Sequence, residues 1–321
     1  MKKKLFLYLS VATLAIACNK DSKIEQDIAN IDVDFKVERF DEIFAKSQPN
    51  DLPKLKTTFP FLFSKRINDS VWIDRMKDTL QQHLFAEVDK TFGNFDGVTK
   101  DIKSLFQHLK YYDKTFTEPR VITLTNFVDY RNKTIITDTI VLIALDNYLG
   151  EEHEFYVDIP RYLAQNLKPS QIVPDLATDY AQKYSFQSQQ KTLLDDMIYF
   201  GKQLCFKDRM IPFETDAEKI GYTQEQLDWA ISNESYIWRY FIEKELLYST
   251  DNSLPSRFMN PAPFTKFYLE LDSESPGRLG QYMGWQIVRS YMEHNDVKLM
   301  DMLQMDTKDI FDNAKFKPRK E

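Results

Sequence analysis

Thr134-Ile135-Ile136-Thr137-Asp138-Thr139-Ile140-Val141-Leu142-Ile143-Ala144-Leu145 is the stretch on which the fold turns. It is dense in β-branched residues, which fit a pleated, half-buried surface. Val121 to Tyr130 has the same character, and the polar Tyr130-Arg131-Asn132-Lys133 between them predicts a turn, so residues 121–145 read as a hairpin. Ile140 to Leu145 is apolar without interruption, which predicts a strand in the middle of its sheet with both faces covered. The run ends abruptly in Asp146-Asn147-Tyr148-Leu149-Gly150. An acidic residue at a strand exit is a rim position for a site, and Asp-Asn is equally a turn former in its own right.

Upstream of this core the pattern alternates between the two periods. Ile31 to Val37 alternates apolar and polar residues and predicts a strand, and Glu38 to Phe44 changes to helical spacing. Pro49, Pro53 and Pro60 then mark turns. Trp72, Met76, Leu80, Leu84 and Val88 recur every four residues and predict one amphipathic helix over 71–88. Val98 to Leu109 predicts a second, with the Gly93 to Gly97 turn between them. Downstream of Gly150 the chain reads as helices at 160–167, 174–186, 190–206, 224–232 and 235–248. The fold class is therefore α+β and mostly helical, with a small sheet packed against helices in one domain over 31–315. A basic tail, 316–321, is expected to fray.

Ser275-Pro276-Gly277-Arg278-Leu279-Gly280-Gln281-Tyr282-Met283-Gly284-Trp285-Gln286-Ile287-Val288 holds three of the chain's eight glycines. Glycine inside a helix costs about 1 kcal/mol against alanine, so Gly280 and Gly284 on one face predict the close approach of another backbone.

The N-terminus carries an address. Lys2-Lys3-Lys4, the apolar run Leu5 to Ile16 and the small residues before Cys18 have the form of an export signal, with Cys18 placed to receive diacylglycerol and palmitate-class acyl chains. Residues 1–17 are expected to be removed, and the polar residues 18–30 to act as a tether. With a net charge of −7 the chain lacks the basic surface that nucleic acid or anionic lipid requires. Once Cys18 is lipidated, Cys205 has no intramolecular partner, which excludes a disulfide framework.

No complete active site is legible. His83, His108, His153 and His294 are scattered, and the chain has no His-Glu-x-x-His helix. It has no Gly-x-Ser-x-Gly elbow, no Walker loop and no Gly-x-Gly-x-x-Gly fingerprint. His153 in Glu151-Glu152-His153-Glu154 reads as a solvated charge run, and Asp195-Asp196 as favourable charge at a helix N-terminus. The expectation is a protein without enzymatic activity and without a cofactor or metal.

Several of these motifs occur together in a family pattern: Val37-Glu38-Arg39-Phe40-Asp41, Ala144 to Gly150, Asp195-Asp196-Met197-Ile198-Tyr199-Phe200-Gly201-Lys202, Asn233-Glu234-Ser235-Tyr236-Ile237-Trp238, and the glycine motif above. In that order, behind a lipoprotein signal, they resemble the gliding-motility lipoprotein family GldB of Bacteroidetes. The resemblance implies a part in gliding and type IX secretion, with other envelope proteins of that machinery as partners and a membrane-anchored, periplasm-facing location. An envelope hydrolase and a periplasmic chaperone are the alternatives. The order of elements also resembles gluzincin-type zinc proteases, which implies a degenerate, metal-free cleft drawing on Asp146, Tyr199 and Glu234.

Overall fold

The computed structural model describes residues 23–262, 266–268 and 270–319. Residues 23–29 are helical (α1), and the tether expected through residue 30 ends earlier. Ile28 is buried, and the Gln107 amide donates to the carbonyls of Ala29 and Ile31. Apolar alternation from Ile31 does produce a strand, but only at its end, as β1 (Val37–Arg39). Arg39 and Asp41 fix where it ends. Arg39 donates to both carboxylate oxygens of the buried Asp41 and to the Phe92 carbonyl, which pins the turn into α2 (Phe40–Lys46).

Short helices follow, α3 (Leu52–Thr58) and α4 (Asp69–Lys77), and then α5 (Thr79–Phe92) and α6 (Asp96–Tyr112). The single helix expected over 71–88 is two helices. Asp78 breaks it with an extended backbone (ψ 129°) and accepts the Gln81 N–H as the N-cap of α5.

Four strands form the sheet: β1, β2 (Arg120–Leu124), β3 (Thr134–Ile136) and β4 (Ile140–Ala144), in the order β1-β2-β4-β3. β4 is interior, as its unbroken apolar run requires. Val141 and Ile143 enter the large core with Val121, while Ile140 and Leu142 pack on the smaller core of Phe44, Leu55, Phe63 and Phe85 with Ile122. The expected 121–145 hairpin is not what pairs. β2 runs parallel to β4, and the hairpin is the tighter one between β3 and β4, turned at Thr137. Strand β2 stops at Leu124 because the carboxylate of Asp146 takes the N–H groups of Asn126 and Val128, and Phe127 and Val128 adopt φ of 60° and 56°. A side chain from another strand end has replaced the ladder.

Beyond Gly150 the chain is helical: α7 (Arg161–Ala164), α8 (Ile172–Tyr184), α9 (Leu193–Met210), α10 (Asp216–Ile220), α11 (Gln224–Ser232), α12 (Glu234–Glu243), α13 (Leu254–Phe258), α14 (Leu279–His294), α15 (Leu299–Gln304) and α16 (Thr307–Asn313). Helix α9 opens on a capping box in which Thr192 and Asp195 satisfy each other's backbone N–H, the helix-start role expected of Asp195. α9 is buried along most of its length, because α8 and α14 pack on it from different sides. The tail does not fray over its described part. Phe316 packs edge-on against Trp238, and the Arg319 N–H donates to Glu234 at 2.9 Å.

Candidate functional site

The residues singled out for a cleft answer to separate partners. Asp146 is fully buried, and its carboxylate accepts the Val128 N–H at 2.8 Å and the Asn126 N–H at 3.1 Å. Burial pushes its pKa up to about 6, against the opposing pull of those backbone donors. Asp146 is thus the anchor of the 126–128 loop. Glu234, at the start of α12, is 2% exposed and takes the Tyr282 hydroxyl at 2.7 Å on one oxygen and the Arg319 N–H on the other. It ties α12, α14 and the tail together. Tyr199 is half-buried on α9, with its ring against Phe200, and burial raises its hydroxyl pKa.

Two of the cavities among the described residues border the second half of α9. The larger, about 590 Å³, is bounded by Glu234, Asp208, Arg289 and the tail at Lys317 and Arg319. Its buried charges are paired. Arg289 forks onto Asp208 and Asp216 with four bonds of 2.7–2.9 Å and stacks over the Trp285 ring at 3.7 Å, while Lys219 closes on Asp208 at 3.2 Å. Cys205 also borders it, yet the thiol is buried and its pKa is pushed up to about 12, which removes the thiolate a nucleophile needs.

The second cavity, about 330 Å³, lies between α8, α9, α10 and the start of α14, and reaches solvent at the exposed Gln182. Gln203, one turn beyond Tyr199 on α9, lines this cavity, whereas Glu234 lines the other. Its walls are unusual in charge. Lys133, Lys207, Lys219 and Arg278 face it with a single carboxylate, Asp175. Lys133 pairs with Asp175 at 2.5 Å, and Tyr148 donates to the same oxygen at 2.9 Å. Lys207 is 6% exposed and donates only to the Lys219 carbonyl at 2.7 Å. Arg278 sits at the N-cap of α14 with φ 58° and donates to the Ile220 carbonyl at 2.7 Å. Burial, together with the charges of Arg278 and Lys133, lowers the Lys207 pKa to about 7 despite Asp175 and Asp179.

Sequence reading missed this cluster because its members are spread from residue 133 to residue 278. One signal was available. Lys202 and Lys207 fall on the inward-facing side of a helix rich in apolar residues, and a lysine that must be buried needs a reason. Cys18, the expected lipidation site, lies outside the described residues. Among the described residues, no three or more His, Cys, Asp or Glu side chains group as a metal-ligand set, and no helix is long and apolar enough to cross a membrane. His153 instead caps the Glu154–Tyr156 turn and contacts Glu87 at 3.1 Å.

No curated protein and no solved structure matches the chain. A family model described as "Gliding motility protein GldB" matches residues 21–318, which takes in every described residue except Arg319. The chain therefore belongs to the GldB family of gliding-motility lipoproteins.

Proposed function

We propose that the protein serves gliding, and the type IX secretion that accompanies it, as a lipid-anchored and non-catalytic component that binds partner proteins on the periplasmic side of the membrane. Family membership supports the gliding role. The observation that carries the non-catalytic reading is the commitment of four candidate groups to the fold. The Asp146 carboxylate holds a loop through backbone N–H groups, Glu234 holds the tail, Asp195 caps a helix, and the Cys205 thiol is sealed in the core. The likeness to gluzincin-type proteases fits the same reading: Tyr199-Phe200-Gly201-Lys202-Gln203 on α9 offers no histidine to a metal. A lipid anchor of two or more acyl chains would hold such a component stably, where a single chain binds only marginally.

Cys18→Ala tests the anchor. The variant should leave the membrane fraction and cells carrying it should stop gliding; full membrane retention with normal gliding defeats the reading. Crosslinking in living cells should capture envelope proteins of the gliding and secretion machinery. Stoichiometric zinc held through His153 or His294, with peptide hydrolysis by the purified chain, would replace this reading with the hydrolase.

A further inference from the structure

We propose that the 330 Å³ cavity between α8, α9, α10 and α14 is a binding site for a small oxyanion of the phosphate or sulfate type, gripped by Lys207 and Arg278 and aided by the amide of Gln203. The charge around this cavity is unbalanced. Taking an ion out of water is costly unless an opposite charge or a full set of hydrogen bonds replaces the water. Lys133 has Asp175 at 2.5 Å, and Lys219 has Asp208 at 3.2 Å and Asp216 at 3.5 Å. Lys207 and Arg278 have one carbonyl each and no carboxylate within ion-pair distance, although an ammonium can donate three bonds and a guanidinium five.

A second observation points into the same space. Gln203 is 3% exposed and lines the cavity, and its buried Nε2 has no hydrogen-bond partner of ordinary geometry, the Tyr199 hydroxyl being its one neighbour of that kind. Buried donors without partners are rare in folded proteins, and an unfilled ligand position is one of their explanations. The three groups come from α9 and from the cap of α14, the two most closely packed helices among the described residues, so their spacing is fixed before any ligand arrives. The size fits a small molecule, at the lower end of the range for ligand cavities. A point-charge ammonium beside a planar, forked guanidinium is the combination suited to a tetrahedral oxyanion. The acidic groups facing Lys207 are Asp175 and Asp179 of α8, and Lys133 already occupies Asp175. That leaves the inner end of the cavity positive.

This assignment concerns a ligand and stands whether or not the gliding role is partner binding. It is tested on the detergent-purified full chain by calorimetric titration with sodium phosphate and sodium sulfate, against sodium chloride at equal ionic strength. One saturable site should appear for the oxyanions and none for chloride, with a melting temperature that climbs as the oxyanion saturates. Lys207→Met should weaken oxyanion binding about ten- to a hundredfold, while leaving the ligand-free melting temperature unchanged or raised. Gln203→Leu should weaken binding less and keep the fold. Absence of saturable binding overturns the proposal, as does oxyanion binding that Lys207→Met leaves intact. Tighter binding of a peptide through its C-terminal carboxylate than of phosphate would also overturn it, and would assign the cavity to a peptide end instead.

Discussion

Gly201 of α9 and Gly284 of α14 meet backbone to backbone. A Cβ on Gly201 would lie 2.3 Å from the Gly284 carbonyl oxygen, and one on Gly284 would lie 1.8 Å from the carbonyl oxygen of Met197. Neither obstacle is a flexible side chain, so the helices would have to separate. Since each helix buries its apolar face on the other, separation would loosen the large core.

Gly284→Ala should therefore cost about 3 kcal/mol or more, at the upper end of overpacking, read as a lowered urea midpoint. Gly97→Ala is the control. It lies in the first turn of α6 with nothing within 4 Å of the added methyl, and should be neutral or stabilise by up to about 1 kcal/mol. Equal effects at the two positions would show that the helix crossing is not as tight as described.

Asp146 predicts a pH dependence. Its carboxyl rises from 3.8 to about 6 on folding, chiefly through burial. A raised folded value means that the folded chain holds the proton more tightly than the unfolded chain. The associated stability is fully present below pH 3.8 and is lost as pH rises through 6, by about 2–3 kcal/mol for such a shift. Asp146→Asn should flatten the melting-temperature profile over that window. Asp179, also raised to about 6 by burial, has a slope of its own, and the difference between wild type and variant isolates Asp146. Parallel profiles would refute the assignment.

Cys205 should be silent to thiol reagents in the folded protein. Its thiol is buried and its pKa is pushed up to about 12, so at pH 8 the thiolate is both scarce and out of reach. In the Cys18→Ala background it is the chain's remaining cysteine. Labelling should wait for urea unfolding and track its transition; stoichiometric labelling of the native chain within minutes would contradict the burial.

Glu234 should govern the tail. It accepts the Arg319 N–H and the Tyr282 hydroxyl while being almost wholly buried. Glu234→Ala removes the acceptor for both donors and should cost about 1–3 kcal/mol, with faster tryptic cleavage after Lys315, the Lys317–Pro318 bond being resistant to trypsin. Arg319→Ala should do little, because the contact is made by its backbone and its side chain stands 3.8 Å away and half in solvent. If the two variants are cleaved alike, the tail is held by something other than Glu234.

Much of the scaffold was legible along the chain. The unbroken Ile140–Leu145 run placed β4 inside the sheet, because a strand covered on both faces cannot alternate. Helix α11 fell on its expected residues, and α9 within a few of its own, because local periodicity and caps decide where a helix lies. The glycine motif announced a close backbone approach. Misreadings came where a distant side chain intervened. Asp78 split an apparently continuous helix by capping the next one, and Asp146 captured the N–H groups of 126 and 128 and so ended β2 early.

By itself, then, the sequence determined the class of fold, several of the helix spans, the need for a glycine-lined crossing and the family pattern, all of which depend on neighbours along the chain or on periodic burial. Tertiary structure alone decided which strands pair, that β2 lies parallel to β4, that the tail docks on Glu234, and that Lys133, Gln203, Lys207 and Arg278 share one cavity. The physical reason is range. Periodicity is a property of a few turns of chain, whereas burying unpaired charge around a common space depends on residues that only the packing of α8, α9, α10 and α14 brings together.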